Sequence, residues 1–149
     1  MDFHEKPVPE LLPSFRRLML RQIMTRERIR YRILVVDDDE ALASMISEML
    51  RRMGCSPVAC SRPLDALTLF SRAPERFDAV ILDEMMPDLR GTQLALQILR
   101  VKDDIPIILM TGHGHMITLA EVRESGVRAT LIKPVLKERL QVVLSELLA

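Results

Sequence analysis

Apolar residues along this chain follow two alternating patterns: short unbroken runs, and longer stretches in which they recur every three or four positions. The runs fall at 32–37, 56–60, 78–83, 106–111 and 129–133. Most are apolar throughout, as strands are when a sheet is covered on both faces; the run at 56–60 is the weakest. Over 40–53, Leu42, Met45, Ile46, Met49, Leu50 and Met53 share one side of a helix that Gly54 stops. A helix at 63–73 begins near Pro63 and is expected to bury Leu64, Leu67 and Phe70, and one at 91–101 to bury Leu94, Ile98 and Leu99. The last, at 136–148, carries Leu136, Leu140, Val143, Leu144, Leu147 and Leu148. Segment 115–125 is patterned least clearly: Met116, Ile117 and Ala120 suit one face, while Leu119 and Val122 fall elsewhere. It reads either as a helix packed more deeply than its neighbours or as one offering apolar residues to a partner.

Five strands alternating with five helices predict an α/β fold, a doubly wound five-stranded parallel sheet with right-handed crossovers placing helices on both faces. This domain occupies 31–149. Residues 1–30 read as a separate N-terminal helical extension. Three early prolines, Pro7, Pro9 and Pro13, mark an irregular arm, and Phe15, Leu18, Met19, Gln22 and Ile23 then show helical spacing. The amphipathic helix at about 14–28 is expected to rest on the domain or join it to a neighbour, with dimerisation as the second reading.

Composition narrows the class. The 149 residues carry a formal net charge of zero, so no global bias favours nucleic acid or a membrane surface. Residues 1–32 hold eight Lys/Arg against four Asp/Glu, leaving the remainder net acidic by four. Every apolar run is far shorter than the roughly 20 residues that cross a bilayer, and the N-terminus lacks the layout of a signal peptide. A cytoplasmic location is expected. Cys55 and Cys60 match no zinc or redox spacing and are expected to be buried, reduced thiols. Met45, Met49 and Met53 repeat every four residues, which points to core filling.

The ends of the runs carry the chemistry. The first leads into Asp37, Asp38 and Asp39, the third ends at Asp83, the fourth at Thr111 and Gly112, and the fifth at Lys133 and Pro134. In a parallel sheet these carboxyl ends share one edge, where open α/β sheets bind ligands. Several carboxylates in one crevice require a counter-ion, and an all-oxygen set with a backbone carbonyl and waters suits Mg²⁺. An ammonium, a hydroxyl and an amide beside them would neutralise a phosphoryl group, and phosphoryl transfer chiefly needs such placement and charge compensation.

Four motifs, Val35-Val36-Asp37-Asp38, Leu82-Asp83-Glu84-Met85-Met86-Pro87-Asp88 with Gly91, Met110-Thr111-Gly112, and Ile132-Lys133-Pro134, resemble the receiver domain of two-component response regulators over about residues 31–148. The resemblance implies a flavodoxin-like strand order of 2-1-3-4-5. It implies that Asp83 is the phosphoacceptor, taking a phosphoryl group from the phosphohistidine of a histidine kinase or a histidine phosphotransfer protein. Asp38 would bind Mg²⁺ directly, Asp37 would mainly hold its waters, and the Met85 backbone carbonyl would be a further ligand. Lys133 would pair with the phosphoryl oxygens and Thr111 would hydrogen-bond to them, beside the Gly112 amide. Asp39 then caps the following helix. Either isomer of the Lys133-Pro134 bond is open.

Departures from the family pattern carry information too. Thr130 stands where members often have an aromatic residue that turns inward on phosphorylation, so a subtler movement around 112–122 is expected here. Met85 and His113 occupy the positions that influence phosphoryl lifetime, and Met85 offers no polar group to position water. His113 and His115 lack the further ligands of a transition-metal site. The expected role is a signalling switch or relay acting through protein contacts with a downstream target, without direct nucleic-acid or membrane binding. The resemblance implies either a single-domain regulator or the receiver of a hybrid histidine kinase, expected to catalyse its own phosphorylation and to have no separate enzymatic output domain. Two alternatives stand beside it: a phosphorylation-independent docking module, and a haloacid-dehalogenase-like phosphatase, which would want an acid where Met85 stands.

Overall fold

A computed structural model describes residues 30–112 and 117–148. The arm and helix expected over 1–30, and the residues His113, His115 and Met116, therefore lie outside the described residues, apart from Arg30. The elements run in strict alternation: β1 (Arg32–Val36), α1 (Glu40–Arg52), β2 (Ser56–Cys60), α2 (Pro63–Arg72), β3 (Ala79–Asp83), α3 (Gly91–Val101), β4 (Ile107–Thr111), α4 (Leu119–Glu124), β5 (Ala129–Ile132) and α5 (Lys137–Leu148). The strands form one parallel sheet in the order β2-β1-β3-β4-β5. That is the order the family resemblance implied.

Side chains alternate across a strand, so each unbroken apolar run feeds two cores at once. Ile33, Val35, Ile81, Ile108 and Met110 face Ile46, Leu50, Leu140 and Leu144 on one side of the sheet. Leu34, Val36, Val80, Leu82 and Leu109 face Phe70, Leu94 and Ile98 on the other. β1 and β3 are central, and both are almost wholly buried. β2 is an edge strand and only half-buried, which explains its weaker pattern.

Helix ends follow local chemistry. The Asp39 side chain accepts a hydrogen bond from the Leu42 N–H at 3.2 Å and caps α1 as expected. Gly54 follows α1 with a φ of 84°, the left-handed conformation that ends helices cheaply in glycine. Thr118 and Glu121 cap α4 reciprocally, each side chain accepting from the other's backbone N–H at 3.1 and 2.8 Å. The Lys133-Pro134 bond is cis.

Three expected core residues are exposed. Met45 is 42% exposed because the buried stripe of α1 runs through Ala43, Ile46, Ser47 and Leu50. A four-residue repeat overshoots the 3.6-residue turn, so the methionine row drifts across the helix; Met49 and Met53 are half-buried while Met45 meets solvent. Leu64 is exposed because α2 turns Pro63, Ala66 and Phe70 inward. Leu136 is exposed because α5 starts one residue later, at Lys137. In the ambiguous segment, Ile117 and Val122 pack against the core, whereas Leu119 and Ala120 face outward. Cys55 and Cys60 are free thiols, half-buried rather than buried.

Candidate functional site

The parallel register sets the site. Val36 lies level with Leu82, Asp83 with Met110, and Thr111 with Ile132, so the residues just past these positions gather at one edge. Carboxylate oxygens of Asp37, Asp38 and Asp83 lie within 4.8 Å of one another. The Lys133 ammonium closes the group, 2.9 Å from Asp83 Oδ1 and 3.3 Å from Asp37 Oδ2. Its approach to Asp83 Oδ1 is the shorter of the two ion pairs. The Lys133 backbone N–H donates to the Thr111 carbonyl at 2.8 Å, which ties the lysine to the end of β4. Thr111 and Gly112 are half-buried there. Met85, second in the loop after β3, is 47% exposed.

Burial differs sharply among the acids. Asp37 and Asp83 are almost wholly enclosed, while Asp38 is exposed. Burial pushes the Asp37 carboxyl up from 3.8 to about 6; the Asp39 N–H, donating at 2.9 Å, works against this, the Asp83 carboxylate adds to it, and Lys133 lowers it. Burial alone would pull the Lys133 ammonium down, but the Asp83 and Asp37 carboxylates outweigh it and hold it above its ordinary value. Three clustered oxygen ligands facing one ammonium form a donor set that fits a hard divalent cation.

This gives a testable pH dependence. The folded state holds the Asp37 proton more tightly than the unfolded chain does, so Asp37's contribution to metal-free stability falls as pH rises from about 4 to about 6. Two pH units at ~1.4 kcal/mol each set the scale at about 3 kcal/mol. Asp37→Asn should therefore stabilise the metal-free protein at pH 7, and the gain should vanish near pH 4. Urea unfolding of both proteins in chelator at the two pH values checks this; a gain independent of pH would contradict it.

The structure also reveals a residue whose role the sequence hid. Glu84, directly after Asp83, is 3% exposed. Its Oε1 accepts from the Thr92 hydroxyl at 2.9 Å, and burial pushes its carboxyl up, with Thr92 and Arg90 opposing and Glu121 reinforcing. A charged residue just past a strand reads as solvated loop. The available signal was parity: Glu84 continues the alternation of Val80 and Leu82, which point into the second core.

Comparison with known proteins agrees with this architecture. The model of the response regulator receiver domain matches residues 33–145. The chain is 34% identical over 110 residues to the two-component response regulator ARR14 of Arabidopsis thaliana, covering 74% of this chain and 29% of that protein. It is 33% identical over 108 residues to the transcriptional regulatory protein GlrR of Escherichia coli, covering 72% and 24%. The match thus spans less than a third of the length of these curated relatives. Among solved structures, a response regulator receiver domain protein from Clostridium thermocellum superposes with a TM-score of 0.74 at 27% identity, covering 78% of this chain and 92% of that one. Chemotaxis protein CheY4 of Vibrio cholerae superposes with a TM-score of 0.72 at 25% identity, covering 79% and 98%.

Proposed function

Since the chain belongs to the response regulator receiver domain family, we propose that it is a phosphoacceptor switch whose acceptor is Asp83. An Asp83 carboxylate oxygen attacks the phosphorus of a phosphohistidine on a histidine kinase or phosphotransfer protein. The new P–O bond makes an acyl phosphate, and the P–N bond breaks with its electron pair leaving on the imidazole, which takes up a proton. Lys133 neutralises charge on the phosphoryl oxygens, and the Thr111 hydroxyl and Gly112 amide donate hydrogen bonds to them. Mg²⁺ held by Asp37, Asp38, Asp83 and the Met85 carbonyl would supply the remaining positive charge. The switch then acts on a downstream protein in the cytoplasm.

The observation that carries this reading is the ammonium of Lys133 within 3.3 Å of both enclosed carboxylates, with Asp38 alongside. A capping or turn role would not draw residues from three strand ends into one ion cluster. No helix among the described residues is long and apolar enough to cross a membrane, which suits a switch that meets its partners in solution.

Acetyl phosphate with Mg²⁺ should add about 80 Da, the mass of one phosphoryl group, to the wild-type chain. Chelator, or Asp83→Ala, should abolish the gain. A folded wild-type protein that stays unlabelled would favour the phosphorylation-independent docking module instead. Steady hydrolysis of phosphate esters would favour the phosphatase.

A further inference from the structure

We propose that Glu84 is a positioning residue for the acceptor site, clamping the 84–90 loop so that the Met85 backbone is held beside Asp83. This rests on the function assigned above, in which the Met85 carbonyl is a metal ligand. A single residue draws the loop shut at both ends. The Glu84 N–H donates to the Met110 carbonyl of β4 at 3.0 Å, and its own carbonyl accepts from the Gly91 N–H at the start of α3, also at 3.0 Å. The Glu84 side chain adds a third tie, accepting from Thr92 in the first turn of α3 at 2.9 Å. Between these ties the chain alternates, with Met85 47% exposed and Met86 8% exposed.

Fold stability does not explain a carboxylate here. Glu84 Oε2 is enclosed and has no hydrogen-bond partner among the described residues. A buried polar atom left unpaired is costly, and replacing both partners of a buried polar pair by apolar groups of similar shape is often neutral or stabilising; Thr92 is only half-buried, so its hydroxyl can turn to water once the carboxylate is gone. An apolar residue would fill the same space between β4 and α3 without that penalty. What it would lose is the hydroxyl–carboxylate tie that fixes the loop's orientation on α3. Groups that orient metal ligands from behind typically govern affinity by 10- to 100-fold.

The geometry therefore predicts that stability and site quality separate. Glu84→Met should unfold at a temperature equal to or above that of wild type. In metal-free protein, the amides of Met85, Met86, Asp88 and Leu89 should exchange roughly tenfold faster, and calorimetry should show Mg²⁺ affinity reduced by roughly tenfold. Thr92→Val, which removes the hydroxyl donor and keeps the Thr92 N–H, should move both readouts the same way by a smaller amount. Glu84→Gln keeps an acceptor for Thr92 and should restore both toward wild type. Unchanged loop exchange in Glu84→Met and Thr92→Val would overturn the proposal, as would losses in all three variants that track a fall in unfolding temperature. Wild-type protein that binds no Mg²⁺ would instead count against the functional reading, because the exchange experiment contains no metal.

Discussion

Gly91→Ala should lower the unfolding temperature by roughly 4–8 °C, although helix propensity argues for the opposite sign. Gly91 is the first residue of α3, and alanine there favours a helix by up to about 1 kcal/mol over glycine. A Cβ at this position, however, would lie 2.4 Å from the Asp83 carbonyl oxygen, 2.9 Å from its carbonyl carbon and 2.8 Å from Leu109 Cδ1. Two of those three atoms are backbone, at the end of a central strand, so relief means moving α3 away from β3. Overpacking of this kind costs about 1–3 kcal/mol or more, which exceeds the propensity gain. Each kcal/mol corresponds to roughly 4 °C in a domain of this size.

Gly126 supplies the control. Its Cβ would also approach to 2.4 Å, but onto Leu99 Cδ1, the far end of a flexible side chain, with a φ of +77° adding strain of its own. Gly126→Ala should therefore be the milder change. Calorimetric scans of the two variants decide the matter; Gly91→Ala melting within about 3 °C of wild type would mean that β3 and α3 are not locked at this point.

The sheet was legible because each buried strand is an unbroken apolar run ending in a polar residue, a pattern that survives without any knowledge of neighbours. Strand order was not. Periodicity shows which residues are covered, and says nothing about which strand lies beside which, so 2-1-3-4-5 rested on the motifs around Asp83 and Lys133. Helix faces were legible where large residues mark them, as at Leu94 and Ile98, and misread where small ones do. Ala43 and Ser47 carry the buried stripe of α1, and a search for methionines and leucines passes over both.

The same limit applied to the site. Acids at strand ends announced Asp37, Asp38 and Asp83, and a lysine before a proline announced Lys133. Glu84 was hidden because its burial depends on Thr92, eight residues away, and on the Gly91 contact that pulls α3 onto β3. Only packing brings those groups together. Gly91 and Glu84 thus belong to one device, the close seam between acceptor strand and following helix.

Lys133→Met should move metal binding and phosphoryl transfer in opposite directions. The substitution keeps an unbranched apolar stem and deletes the charge that lies 2.9 Å from Asp83 and 3.3 Å from Asp37. Unit charges about 4 Å apart interact by roughly 4 kcal/mol at the effective dielectric of a partly enclosed site. Without the ammonium, the carboxylates retain more uncompensated charge, and a divalent ion competes with one fewer cation. Mg²⁺ affinity at pH 8 should rise by about threefold to tenfold, a fraction of that bare Coulomb value because solvent reaches the lysine. Below pH 7 the gain should shrink, since Lys133 is one of the groups that lower the Asp37 proton affinity, and its loss lets protons compete for the site. Labelling by acetyl phosphate should fall by about 10²-fold, the usual consequence of removing one group that compensates developing charge. A lysine that only braced the fold would, on removal, weaken binding and transfer together and lower the unfolding temperature. Tighter Mg²⁺ binding with slower labelling in a variant of wild-type helical content would therefore place Lys133 on the phosphoryl group; labelling at the wild-type rate would remove it from the reaction.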